Sequence, residues 1–111
     1  MRFHRPERIS KLIMEYLNEL LIRDVETPGT LVTITNVDVA KDLSRAAVRI
    51  SVLPSDKANI VLKKFDDIRG YLQYKLLRKL NIRPLPKIYF EIDRGPEQAA
   101  AVERALLKNS E

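Results

Sequence analysis

At 111 residues the chain has room for one domain. Twenty Lys and Arg against fifteen Asp and Glu give a net charge of +5, and 45% hydrophobic with 32% charged residues excludes wholesale disorder. With no cysteine and only His4, the sequence excludes disulfides, cysteine nucleophiles and the common zinc sites.

Ile9, Leu12, Ile13, Tyr16, Leu17, Leu20 and Leu21 recur at helical spacing and predict an amphipathic helix over about residues 5–24, with Pro6 suited to its first turn and Glu7 to the positive end of its dipole. Thr27-Pro28-Gly29 breaks the chain, and residues 30–39 are rich in Val, Ile and Thr, as a strand is. The apolar parity changes between Ile34 and Val37, which predicts a bulge or strong twist near Thr35-Asn36. After a polar connection over residues 41–45, Ala46, Val48, Ile50 and Val52 alternate with Ala47, Arg49 and Ser51, predicting a second strand in a hairpin with the first. Pro54 ends it, and Ser55 or Asp56 is placed to cap a helix carrying Ile60, Val61, Phe65 and Ile68 on one face.

Gly70 then interrupts the pattern, which resumes with Tyr71, Leu72, Leu76, Leu77 and Leu80 and ends at Asn81, so the glycine reads as a kink or a tight turn between two consecutive helices. Ile88, Phe90 and Ile92 alternate with Lys87, Tyr89, Glu91 and Asp93 in a third strand, and Gly95-Pro96 opens an Ala-rich helix over about 96–108. The whole is an α+β fold, helices layered on a three-stranded sheet, with a core over about 5–93 in a single domain of residues 1–111.

The charge is not spread evenly. Residues 63–87 carry eight basic groups against Asp66 and Asp67 alone, a local +6, so the remainder of the chain sums to −1. Lys75, Arg78 and Lys79 stand at i, i+3 and i+4 and share one helical face. Such a face either solvates the helix or neutralises phosphates. Gly70, beside it, either eases a helix corner or lets a phosphate backbone approach closely. Of the tyrosines, Tyr16 falls on the apolar stripe and reads as core, while Tyr71 and Tyr74 are candidates for stacking on bases, with packing favoured for one of them.

Catalytic signals are weak. His4 has no acid placed beside it, Asp66 and Asp67 diverge by about 100° on a helix, and Glu91 and Asp93 share a strand face without a nucleophile or metal companion. No phosphate-binding loop, dinucleotide fingerprint or nucleophile elbow is present. The expectation is a protein that is not an enzyme and needs no metal or cofactor. Charged residues from Arg2 to Glu15 argue against a secretory leader and no apolar run is long enough for a membrane span, which gives the expectation of a cytoplasmic protein without a membrane partner, monomeric when free.

Two stretches, residues 37–52 and 82–93, with the order of elements over about residues 5–107, resemble the ribosome-binding factor A family. One is Val37-Asp38-Val39-Ala40-Lys41-Asp42-Leu43-Ser44-Arg45-Ala46-Ala47-Val48-Arg49-Ile50-Ser51-Val52, similar to the family's strand, Ser/Ala-Lys/Arg-Asp-Leu-Ser turn and second strand. The other is Ile82-Arg83-Pro84-Leu85-Pro86-Lys87-Ile88-Tyr89-Phe90-Glu91-Ile92-Asp93, similar to the family's pattern into its last strand. The resemblance implies a type II KH-like domain (α-β-β-α-kink-α-β) with a short C-terminal helix, in which a helix-kink-helix carrying Ala-x-Gly replaces the usual Gly-x-x-Gly loop. Here Ile68-Arg69-Gly70 keeps the glycine and replaces the alanine.

It further implies a small-subunit ribosome assembly factor that binds immature small-subunit ribosomal RNA and promotes late maturation and 5′-end processing without cutting RNA. The expected RNA contacts are Arg69, Lys75, Arg78, Lys79 and Arg83 for phosphates, Gly70 for close approach, and Arg45 and Lys41 as secondary contacts from the strand-strand turn. The alternative is a protein-interaction or scaffolding module whose basic patch meets an acidic protein partner.

Overall fold

A computed structural model describes residues 6–95 and 102–107. The elements run α1 (Pro6–Asp24), β1 (Leu31–Val39), β2 (Arg45–Leu53), a short 3-10 turn (Ser55–Lys57), α2 (Ala58–Asp67), α3 (Arg69–Leu80) and β3 (Lys87–Ile92). Residues 102–107 are helical; the rest of the expected 96–108 helix, and His4, lie outside the described residues.

The sheet order is β1-β2-β3, with β1 antiparallel to β2 and β3 parallel to β2. β1 buries Ile34, Val37 and Val39, a spacing that strict alternation forbids. The ladder resolves this with a bulge: Ile34 pairs with Ile50 and Asn36 with Arg49, leaving Thr35 unpaired. The Thr35 hydroxyl donates to Asp93 Oδ2 at 2.6 Å, and the Asp93 amide donates to the Ile50 carbonyl at 2.7 Å. The bulge is thereby fastened to the end of β3.

The helices cover one sheet face. α1 contributes Ile9, Ile13, Leu17 and Leu20, α2 contributes Ala58, Val61 and Phe65, and α3 contributes Leu72 and Leu76, over Val48, Ile50, Ile88 and Phe90. The Phe65 and Phe90 rings meet edge to face, centroids 5.2 Å apart. Three local expectations are corrected. Ile60 is not on the buried face: the stripe Ala58, Val61, Phe65 is narrow, and Ile60, about 100° from Val61, is 65% exposed. Ser55 and Asp56 do not cap α2, because the preceding 3-10 turn takes them up and Lys57 stands at the cap without a side-chain bond.

The kink, too, lies two residues before Gly70. Ile68, at φ −99° and ψ 8°, joins α2 to α3, and its amide still reaches the Lys64 carbonyl at 3.1 Å. Gly70 falls in the first turn of α3, outside the left-handed region. Asn81 does end α3, at φ 50°, with its amide on the Leu77 carbonyl.

Candidate nucleic-acid interface

The two buried leucines of α3, Leu72 and Leu76, fix its roll against the core and turn its remaining side chains to two flanks and an outer ridge. On the α1 flank, Lys75, Arg78 and Lys79 line a shallow depression of about 280 Å³ together with Tyr16 and Tyr74. No acid lines it. Each cation lies over a tyrosine: Lys79 Nζ is 5.8 Å from the Tyr16 ring centre, Arg78 is 5.8 Å from that of Tyr74, and Lys75 Nζ is 5.7 Å from that of Tyr71. Arg78 Nη1 also donates to the Tyr74 hydroxyl at 3.1 Å. The i, i+4 spacing of Tyr71 with Lys75 and of Tyr74 with Arg78 makes these contacts local, and at exposed sites such pairs contribute about 0.5–1 kcal/mol.

Tyr71 and Tyr74 are both exposed, at 46% and 54%, so neither is the packed member that the sequence favoured. The Tyr71 hydroxyl donates to Asp24 Oδ2 at 3.0 Å, and Arg23 Nε donates to Oδ1 at 3.1 Å. The phenol first and the guanidinium second hold the Asp24 carboxyl below the usual carboxylate range. This acid is thus occupied beside the basic ridge. Tyr16 is half-buried against the core, as its place on the stripe predicts, yet one side of its ring forms part of the depression.

On the other flank, Arg69 and Gly70 line a second depression with Gln73, Lys87, Ile88 and Tyr89. The Arg69 guanidinium sits 4.9 Å from the Tyr89 ring centre. Gln73 locks α3 to the outer edge of β3: its Oε1 accepts from the Ile88 amide at 2.9 Å and its Nε2 donates to the Pro86 carbonyl at 2.9 Å. That amide does for the β3 edge what a neighbouring strand would do. Gly70 is exposed, and a Cβ built on it would meet nothing within 4 Å.

The strand-strand turn comes to this side. Arg45 is opposite Lys87 in the sheet register, and the Lys87 amide donates to the Ser44 carbonyl at 3.2 Å. The turn holds Leu43 at φ 62° with its side chain on the core, closed by the Leu43 amide on the Ala40 carbonyl at 2.9 Å. Asp42 Oδ1 accepts from the Ser44 hydroxyl at 2.7 Å and amide at 3.0 Å, which holds its carboxyl below the usual range and leaves Lys41 exposed. The expected contacts therefore fall into two groups, Lys75, Arg78 and Lys79 on one flank and Arg69 and Gly70 with Arg45 and Lys41 toward the other. Arg83 stands exposed on the connection after α3 and lines neither depression.

Other charges are spent locally. Lys64 Nζ donates to the Glu26 carbonyl and Lys63 pairs with Asp67 at 3.6 Å. On the uncovered sheet face, Arg49 pairs with Glu91 at 3.2 Å and Asp38 at 3.8 Å, in a wider, charge-balanced depression with Arg45 and Tyr89. Glu91 is thus an ion-pair partner and Asp93 a bulge clasp. The residues that sequence reasoning missed are Tyr16, Lys87 and Tyr89. Tyr89 had a signal, since it alternates against Ile88 and Phe90 and must face out; that Arg69 lies over it depends on how α3 crosses β3. Among the described residues no helix is long and apolar enough to cross a membrane.

The model of the family described as Ribosome-binding factor A matches residues 5–106. The ribosome-binding factor A of Pseudomonas paraeruginosa (strain PA7) is 33% identical over 115 residues, covering 96% of this chain and 90% of its own. That of Caldicellulosiruptor bescii is 29% identical over 111 residues, covering 96% and 84%. The crystal structure of ribosome-binding factor A from Thermus thermophilus superposes with a TM-score of 0.59 at 22% identity, covering 81% of this chain and 92% of that one. A homology model of the Thermus thermophilus protein, fitted into the cryo-EM map of a complex with the 30S subunit, gives 0.60 at 23% identity, covering 84% and 96%. These structural likenesses carry the fold, the type II KH-like order of helix, hairpin, kinked helix pair and returning strand. A helix pair kinked at Ile68, an Asp42-Leu43-Ser44 turn holding two strands in register and a sequence match across nearly the whole length together place the chain in the ribosome-binding factor A family.

Proposed function

We propose that the protein is a small-subunit ribosome assembly factor that binds immature small-subunit ribosomal RNA through the flanks of α3 and promotes late maturation and 5′-end processing without cleaving RNA. The observation that carries this is the depression where Lys75, Arg78 and Lys79 converge with no acid among its described lining residues. Such a site attracts phosphate, and a locally basic helix on a near-neutral domain orients the encounter. Family membership supports the small subunit as the partner, as does the relative fitted into a 30S complex. Arg69, Gly70, Lys41 and Arg45 extend the contact across the helix start to the strand-strand turn, and Arg83 adds a charge beyond the helix end. Recognition of this kind rests on shape and phosphate placement.

The test is binding to immature small subunits and to their naked RNA over a salt series. With about five phosphates neutralised, the slope of log K against log salt is expected on the order of −3 to −5, and the triple variant Lys75→Ala/Arg78→Ala/Lys79→Ala should flatten it by about 2. An unchanged slope in that variant would remove the helix from the interface. Cosedimentation that survives nuclease digestion but requires ribosomal proteins would point instead to an acidic protein partner.

A further inference from the structure

The basic helix needs only cations to hold phosphates, yet the depression on the α1 flank of α3 is lined, among the described residues, by two tyrosines and three cations. Tyr16 is packed against the core and gives a fixed platform, while Tyr74 stands exposed on the helix. The cations lie at 5.8 Å from these two rings, near the limit of about 6 Å for such contacts, so they cover the faces loosely. The depression encloses about 280 Å³, just under the roughly 300 Å³ at which small-ligand pockets begin. It suits a single flat group with an anionic tail and is too small for the groove of a helix.

Resting on the proposed RNA-binding reading, we infer that the Tyr16–Tyr74 depression takes one unpaired nucleotide, its base stacked on tyrosine and its phosphate held by Lys75, Arg78 and Lys79. A duplex presents phosphates but keeps its base faces inside the stack; only an unpaired or splayed nucleotide brings a π-face to a phenol ring. The site therefore distinguishes RNA with an open strand from closed duplex, which phosphate contacts alone do not do. Stacking is tolerant of base identity, so the selection is for strandedness, not sequence.

The experiment compares an eight-nucleotide RNA without self-complementarity, carrying one 2-aminopurine, with the blunt duplex formed on the same strand. Tyr74→Ala should weaken single-strand binding by about 5- to 150-fold and abolish the 2-aminopurine quench, while duplex binding stays within about twofold. Tyr74→Phe should keep both, and the salt slope should not change in either variant. With four tyrosines and no tryptophan in the chain, quenching of intrinsic tyrosine emission gives a second readout. Tyr16→Leu, checked for an intact thermal transition, should repeat the Tyr74→Ala pattern.

Equal losses on single strand and duplex, or no loss on either, overturn the inference. So does poly-glutamate displacing the single strand as effectively as an RNA of the same length, since the depression would then read charge alone. If the lysine and arginine variants lose small-subunit binding while the tyrosine variants keep every property, the stacking site falls and the proposed function stands. If the lysine and arginine variants also bind as wild type, the proposed function falls with it.

Discussion

Gly70→Ala separates two reasons a glycine can stand on a helix. If the backbone needed it, the angle would lie in the left-handed region or a side chain would collide; Gly70 shows neither, since its φ is ordinary and the space around a built Cβ is open to 4 Å. An alanine there should stabilise α3 by about 0.5–1 kcal/mol, the usual difference for a helical position, through lower backbone entropy in the unfolded chain. For a domain of this size that is a rise of about 2–8 °C in melting temperature, measurable by circular dichroism at 222 nm. On the proposed role of Gly70, RNA affinity should fall at the same time, and fall further in Gly70→Leu, because the methyl and then the larger side chain would occupy the open space proposed for the phosphate backbone. The reasoning is refuted in its structural half if Gly70→Ala melts lower than wild type. Its functional half is refuted if Gly70→Ala melts higher and binds RNA as well as wild type does.

Three further outcomes follow from the packing and the hydrogen bonds. The Asp93 carboxyl is held below the usual range, first by the Thr35 hydroxyl and then by the Gly95 amide, so its ionised form stabilises the fold above about pH 4 and that contribution is lost as pH falls through the depressed value. Asp93→Asn should therefore melt lower at pH 7 and lose less stability than wild type on titration from pH 4 downward; parallel curves would contradict the clasp. Gln73→Ala leaves the Ile88 amide without its partner at a partly buried edge and should cost about 1–3 kcal/mol in urea unfolding, with greater self-association of the unprotected β3 edge. Phe65→Ala, at a fully buried ring, should cost about 3–5 kcal/mol, whereas Tyr74→Ala on the surface should cost no more than about 1 kcal/mol, the loss of its contact with Arg78; comparable losses would show that Tyr74 is a packing residue.

The parts of the fold governed by short-range pattern were legible in the residues. The α1 stripe, the hairpin, the Asn81 stop and even the Thr35 bulge follow from spacing, because one buried face punishes any break in parity. What escaped depended on neighbours distant in sequence. Ile60 satisfies helical periodicity but lies beyond the narrow strip that β3 covers. Ile68 takes the kink while the nearby glycine, the usual suspect, stays helical. In the candidate interface, the shared face of Lys75, Arg78 and Lys79 was readable from their offsets, whereas the partition into two flanks was not. A helical wheel gives angles; it does not say that α1 brings a tyrosine to one side and β3 a tyrosine to the other.

The Thr35–Asp93 hydrogen bond joins residues 58 positions apart. The β1-β2 hairpin closes over a short turn and holds its bulge only by the Thr35 hydroxyl on the Arg49 carbonyl at 3.3 Å; the shorter bond, to Asp93, forms once β3 has come alongside β2 in parallel. The last residues of the sheet therefore act as a latch on an irregularity laid down near its beginning. Cooperativity is built into this connectivity: fraying of the strand end at Asp93 removes the shorter of the two bonds that hold the bulge in β1 on the far side of β2, so the two edges of the sheet are coupled across its central strand.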